Sequence, residues 1–281
     1  MSGARVLYPR ACELGEGAFW HPARGQVFWF DIAASRLMST DGAAWDFDRT
    51  VTACGWIDRD RLLVASDTAL IDFDLRDGTR RDVCPVEADR PENRSNDGRA
   101  DPMGGFWIGT MAREKTKNAG AIYRLHRGEL RVIRAGVTIP NSICFAPDGR
   151  RGYFSDTSEQ RVWTVALDAD GWPEGEPRVF IDLSGEGLDP DGAVTDAEGL
   201  IWIAQWGAGR VACHAPDGSF LHSFEVPATN PTCPAFIGEG VDRLIVTTAR
   251  EDLETPTDND GRTFVIDAPG AVGRAEPRVV L

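Results

Sequence analysis

Positive charge is in short supply along this chain: 30 Lys and Arg face 44 Asp and Glu, a formal net charge of −14 and a sequence pI near 4.7. Nucleic acids and anionic membranes are bound through a basic face, so neither is expected as a partner. No apolar run approaches the roughly 20 residues that a membrane-spanning helix needs. Met1-Ser2-Gly3-Ala4-Arg5 leads into no apolar stretch of the kind that forms a secretory leader. The six cysteines (Cys12, Cys54, Cys84, Cys144, Cys213 and Cys233) contain no C-x-x-C pair and no close cluster. That pattern predicts reduced, mostly buried thiols in a cytoplasmic protein rather than a disulfide framework. The four histidines (His21, His126, His214 and His222) have no zinc-type spacing. A phosphate loop, a nucleotide fingerprint, a G-x-S-x-G elbow and a Ser/His/Asp set are missing too, which disfavours a serine hydrolase. No segment shows the apolar spacing and caps of an amphipathic helix.

What remains is β-structure. Eight Asp-Gly pairs, from Asp41-Gly42 to Asp260-Gly261, mark tight hairpins between short β-forming runs. Six of these runs repeat: Val27–Phe30, Arg61–Val64, Gly105–Ile108, Gly152–Ser155, Leu200–Ile203 and Arg243–Val246. Their third residues fall at 29, 63, 107, 154, 202 and 245, with gaps of 34, 44, 47, 48 and 43. Propeller blades repeat at roughly 40–50 residues. Each unit carries enough runs for four strands. In the fourth unit these are Asn141–Ala146, Gly152–Asp156, Arg161–Leu167 and Arg178–Asp182. The expected fold is therefore an all-β, six-bladed β-propeller, with residues 1–281 forming one domain. The recurring Trp29, Trp107 and Trp202 are read as blade core. Ring closure must join the ends, so at least one of Arg5–Tyr8 and Arg278–Leu281 is predicted to complete a terminal blade.

Four polar residues share one place in the repeat. Glu16 and Asn141 lie 13 residues before their markers, Asn96 and Asp191 lie 11 before theirs. Offsets that differ by two keep the same strand face forward. Inner strands of a propeller converge on the axis, so Glu16, Asn141 and Asp191 together offer two carboxylates and an amide oxygen. These are hard donors suited to Ca²⁺, Mg²⁺ or Mn²⁺. Units two and six have Thr50-Val51-Thr52 and Thr232-Cys233-Pro234 around the matching place and supply no counterpart. Ligation would be lopsided, leaving open coordination positions of the kind a catalytic ion needs.

Leu14-Gly15-Glu16-Gly17, Asn93-Arg94-Ser95-Asn96-Asp97-Gly98, Gly109-Thr110-Met111, Pro140-Asn141-Ser142 and Pro190-Asp191-Gly192 occur in that order. With them the chain resembles the SMP-30/gluconolactonase/regucalcin family from about residue 12 to 250. The resemblance implies a divalent ion on the propeller axis and hydrolysis of a sugar lactone such as a glucono-, xylono-, arabino- or galactonolactone. It implies Glu16, Asn141 and Asp191 as metal ligands, and Arg94, Asn96 and Glu114 as substrate contacts. Glu114 is placed by an ungapped count from Met111. Asp191 is the expected proton acceptor for the attacking water. The oxygen donors favour Ca²⁺, while the family also uses Zn²⁺, Mn²⁺, Mg²⁺ or Fe²⁺.

Two other readings fit the same residues: a non-catalytic Ca²⁺-binding regulatory propeller, and a metal-dependent esterase or phosphotriesterase. A monomer is expected. Two segments break the blade grammar, the polar 112–120 and the acidic 251–261. The first leaves the end of its unit on which the polar cluster sits, and a lid is expected there.

Overall fold

The computed structural model describes residues 4–267 and 271–281. It contains six four-stranded antiparallel sheets arranged as the blades of a propeller. Their inner strands are Gly15–His21, Val51–Trp56, Asn93–Ala100, Pro140–Phe145, Asp189–Thr195 and Asn230–Ile237. Each touches the next around the ring, including the sixth against the first. Closure is made by the N-terminal strand Arg5–Tyr8, which pairs with Thr263–Asp267 as the outermost strand of the sixth blade. Arg278–Leu281 forms no strand. Among the described residues the one helical element is a 3₁₀ turn, Thr157–Glu159.

Strand alternation explains the packing. In Gln26–Asp31, Phe28 and Phe30 point into the interface with the second blade, while Val27 and Trp29 point into the interface with the sixth. The other blades follow suit, and one apolar cluster fills each of the six seams. Both faces of a blade are thus buried, which is why the strand runs are almost continuously apolar. Trp29, Trp107 and Trp202 are buried core, as expected. Burial falls toward the rim, where outer strands such as Arg80–Pro85 and Phe220–Glu225 are largely exposed. Charges on such rims discourage edge-to-edge pairing. All six cysteines are free thiols, and five of them are buried.

After Ala271 the chain crosses the end of the ring formed by the hairpins between first and second strands. Ala197 N–H donates to Val272 (2.8 Å), Gly273 N–H to Val241 (2.7 Å) and Val280 N–H to Gly104 (2.8 Å). The Trp56 indole donates to the Glu276 carbonyl at 2.8 Å. Glu276 itself forms a buried ion pair with Arg99 of the third inner strand, and Arg99 also reaches the Pro234 carbonyl of the sixth. Arg99 therefore spans the axis beneath the tail.

Candidate functional site

The opposite end of the ring, where inner strands begin, opens into a cavity of about 210 Å³. Glu16, Arg94, Asn96, Asn141 and Asp191 all line it. The register explains their shared place. Every inner strand loses regular pairing with its neighbour at this height. Glu16 and Asn141 are the last paired residues before the irregularity, opposite Phe30 and Ser155. Asn96 and Asp191 lie within it. Bulges of this kind turn side chains that a flat ladder would send elsewhere.

The strand starts are held by carboxylates at the ends of the second strands. Asp31 accepts the Glu13 and Leu14 N–H groups at 3.2 Å each, and Asp156 accepts those of Thr138 (2.7 Å) and Ile139 (3.0 Å). Inner strands are also tied to each other: Ser142 Oγ donates to the Asp191 carbonyl, and Ile143 N–H donates to the Asp97 carboxylate. Their approach is close enough that a Cβ on Gly192 would stand 2.8 Å from the Thr232 carbonyl. Thr52 and Thr232, at the silent positions, spend their hydroxyls on Ser95 Oγ and on the Gly15 carbonyl. Thr232, bonded to a carbonyl, has no hydroxyl proton left for the cavity.

Electrostatically the floor is unusual. Glu16 is buried, with its Oε2 accepting the Gly17 N–H at 2.8 Å. Burial, with Asp97 adding to it, pushes its pKa up to about 8. Asp191 is raised well above the ordinary carboxylate range by burial and by Glu16 beside it. Burial also raises Asp97, just beneath, to about 6. Neither Glu16 nor Asp191 has an ion-pair partner among the described residues. Two adjacent buried carboxyls of this kind must share a proton or a cation. No group of three or more His, Cys, Asp or Glu suited to a metal occurs among the described residues. The candidate donor set is instead two carboxylates and the Asn141 amide, a hard oxygen set that fits a divalent cation retaining water.

Arg94 forms one wall. Its Nη1 donates to the Ser95 carbonyl (2.8 Å) and to Asn96 Oδ1 (2.7 Å), and burial lowers its pKa. Asn96 Nδ2 donates to the Pro140 carbonyl (2.9 Å) and to Asn141 Oδ1 (3.0 Å). Asn96 thus links the arginine to the Asn141 amide. Glu114 does not join them: it is exposed and outside the lining, and the next residue, Lys115, faces the cavity instead. The strand ends at Ala112 and the chain turns there, with Lys115 N–H donating to the Ala112 carbonyl at 2.9 Å, so a count from Met111 does not preserve strand alternation. Sequence reasoning also missed Thr157, Asp189, Glu251 and Asp252. The last two lie in the acidic segment 251–261, whose break from blade grammar was the available signal.

A six-bladed ring with a polar, carboxylate-floored cup at one end is the frame. Residues 14–250 match the SMP-30/Gluconolactonase/LRE-like region, and the chain belongs to that family. It is 37% identical to an L-arabinolactonase of Azospirillum brasilense over 89% of this chain and 85% of that one. It is 34% identical to a pentonolactonase of Haloferax volcanii over 98% of this chain and 94% of that one. Among solved structures, a calcium-binding protein, regucalcin, from Agrobacterium tumefaciens superposes with a TM-score of 0.96 at 41% identity, covering 100% of this chain and 98% of that one.

Proposed function

We propose that the protein hydrolyses a sugar lactone to its aldonic acid, with a divalent cation held by Glu16, Asn141 and Asp191. The observation that carries this reading is the pair of adjacent buried carboxyls, Glu16 and Asp191, on the floor of a cavity walled by Arg94. The lactonase relatives support the substrate class, and the polyol-sized cup with its charged rim suits an oxygen-rich ring. Calcium is favoured by the all-oxygen donor set.

When bound, a divalent ion would polarise the lactone carbonyl and acidify water. The chain's own groups do the rest. Arg94 offers N–H donors in a fixed fork to the lactone oxygens and orients the ring. Asp191 takes the proton of the attacking water as the new C–O bond forms. The ring C–O bond then breaks, and the departing oxygen is protonated, giving a hydroxy acid. Asn96 keeps Arg94 and Asn141 in fixed relation while this happens.

A second reading, cation binding without turnover, is favoured by the calcium-binding relative alone. A pH-stat assay with glucono-, xylono-, arabino- and galactonolactone, with and without chelator and added Ca²⁺, Mg²⁺, Mn²⁺ or Zn²⁺, separates the two. Cation-dependent acid release from any of them is expected. Release no faster than spontaneous hydrolysis with every one would sink the enzyme reading.

A further inference from the structure

Thr157 belongs to no strand motif, yet it stands at the end of a directed hydrogen-bond chain. Arg94 Nη1 donates to Asn96 Oδ1 at 2.7 Å, and Asn96 Nδ2 donates to Asn141 Oδ1 at 3.0 Å. Asn141 Nδ2 donates to Thr157 Oγ1 at 2.9 Å, and Thr157 Oγ1 donates to the Pro190 carbonyl at 2.7 Å. The two ends fix the direction of every link. Arginine has donors only, so Asn96 must turn its oxygen to Arg94; a carbonyl has lone pairs only, so the Thr157 proton must point to Pro190. With its proton spent there, Thr157 Oγ1 can only accept, and the group Asn141 presents to it must be the NH₂. A flipped Asn141 would set donor against donor at Asn96, with acceptor against acceptor at Thr157.

We propose that Thr157 is a positioning residue that fixes the orientation of the Asn141 amide, leaving Oδ1 as the atom it offers to a cation. The proposal rests on the reading of Asn141 as a ligand. The same threonine bonds the carbonyl next to Asp191, so one hydroxyl ties two ligand-bearing strands together. Thr157 sits on the first residue of the 3₁₀ turn that Asp156 caps by accepting the Ser158 N–H. That short turn holds the hydroxyl in place between the fourth and fifth blades.

Thr157→Val removes the acceptor at nearly constant shape, and Thr157→Ser keeps it. Outer-shell partners of this kind are worth roughly 10–100-fold in metal affinity. Titration of the chelator-treated full chain with Ca²⁺ should give a Kd at least about tenfold weaker for Thr157→Val and within about threefold of wild type for Thr157→Ser. In ¹⁵N spectra of the metal-free protein, the Asn141 side-chain amide should shift in Thr157→Val and hold in Thr157→Ser. An unmoved amide signal, or a serine variant as impaired as the valine one, overturns the proposal. Wild-type protein that binds no cation, while the amide still responds, sinks the metal reading and leaves the orientation clamp standing.

Discussion

Lys115 and Asp252 meet at 2.7 Å although 137 residues separate them, and their ion pair joins two loops over the mouth of the cavity. Each loop leaves a different blade, Lys115 after Phe106–Ala112 and Asp252 after Arg243–Ala249. The acidic loop is itself organised around Asp260, whose carboxylate accepts N–H groups from Thr229 and Thr257. Both partners of the bridge are exposed, so it contributes at most about 1 kcal/mol to stability. Lys115→Ala is therefore expected to leave the melting temperature nearly unchanged. Its effect should fall on lactone capture, as a raised KM with kcat held; equal KM values for mutant and wild type would remove the mouth loops from substrate binding.

The floor and the wall are expected to separate on mutation. Asp191→Ala should abolish both cation binding and turnover. Arg94→Ala should retain the cation and lose kcat/KM by 10²-fold or more, in line with the loss of a charged orienting group. Calorimetry of cation binding beside initial rates checks both, and loss of the cation in Arg94→Ala would move that residue to the ligand shell.

Cation binding should release protons. Glu16 rises from an ordinary 4.5 to about 8, with Asp191 raised beside it, so the metal-free floor holds protons at neutral pH that a cation must displace. Affinity then strengthens as pH rises toward 8, by up to about tenfold per unit for each proton released. The same shifts set the sign for stability without metal. A carboxyl whose folded pKa is raised favours the folded state fully below its unfolded value, and that contribution is lost as pH climbs through the folded value. Chelator-treated protein should thus weaken between about pH 4.5 and 8, and a divalent cation should restore it. A Kd independent of pH from 6 to 8 would contradict the shared proton.

Ring closure depends on Arg5–Tyr8, which also packs Tyr8 edge-on against Trp29 at 4.8 Å. Removing residues 1–8 exposes the strand Thr263–Asp267 and is expected to lower the melting temperature by several degrees, at about 2–4 °C per kcal/mol for a chain of this order of size. An unchanged melt would mean that the sixth blade holds without its outermost strand.

Breaking the Arg99–Glu276 pair should be costly. Glu276→Gln leaves a buried guanidinium without its counter-charge, a change worth about 3–5 kcal/mol. Denaturant unfolding measures it. Arg99→Met with Glu276→Leu should recover much of the loss, because the pair itself is also expensive to bury.

Strand residues were readable because their environment repeats. Phe28 and Trp29 face opposite seams by simple alternation, and Glu16, Asn96, Asn141 and Asp191 reach the cavity from four of the six similar inner strands. The two-residue offset among them corresponds to a real difference, paired for Glu16 and Asn141 and bulged for Asn96 and Asp191. Loops obey no such period. The strand Phe106–Ala112 ends before Glu114, so alternation counted from Met111 no longer holds there, and Lys115 lines the cavity instead. Thr157 is held at the site by a bond between blades, to the Pro190 carbonyl, which no local pattern encodes. The C-terminal run Arg278–Leu281 has β-forming composition but finds hydrogen bonds on hairpin ends instead of a sheet edge.

That tail has a bearing on molecular traffic. Arg99, Glu276 and the crossing segment lie over the hairpin end, while the carboxylate-floored cavity has its doorway at the opposite end. For the proposed reaction the incoming lactone is neutral and the outgoing acid is an anion. The doorway carries Glu251, with Asp252 paired to Lys115, in a chain whose net charge is −14. The chain's net negative charge would then favour departure of the anionic product while leaving arrival of the neutral lactone unopposed.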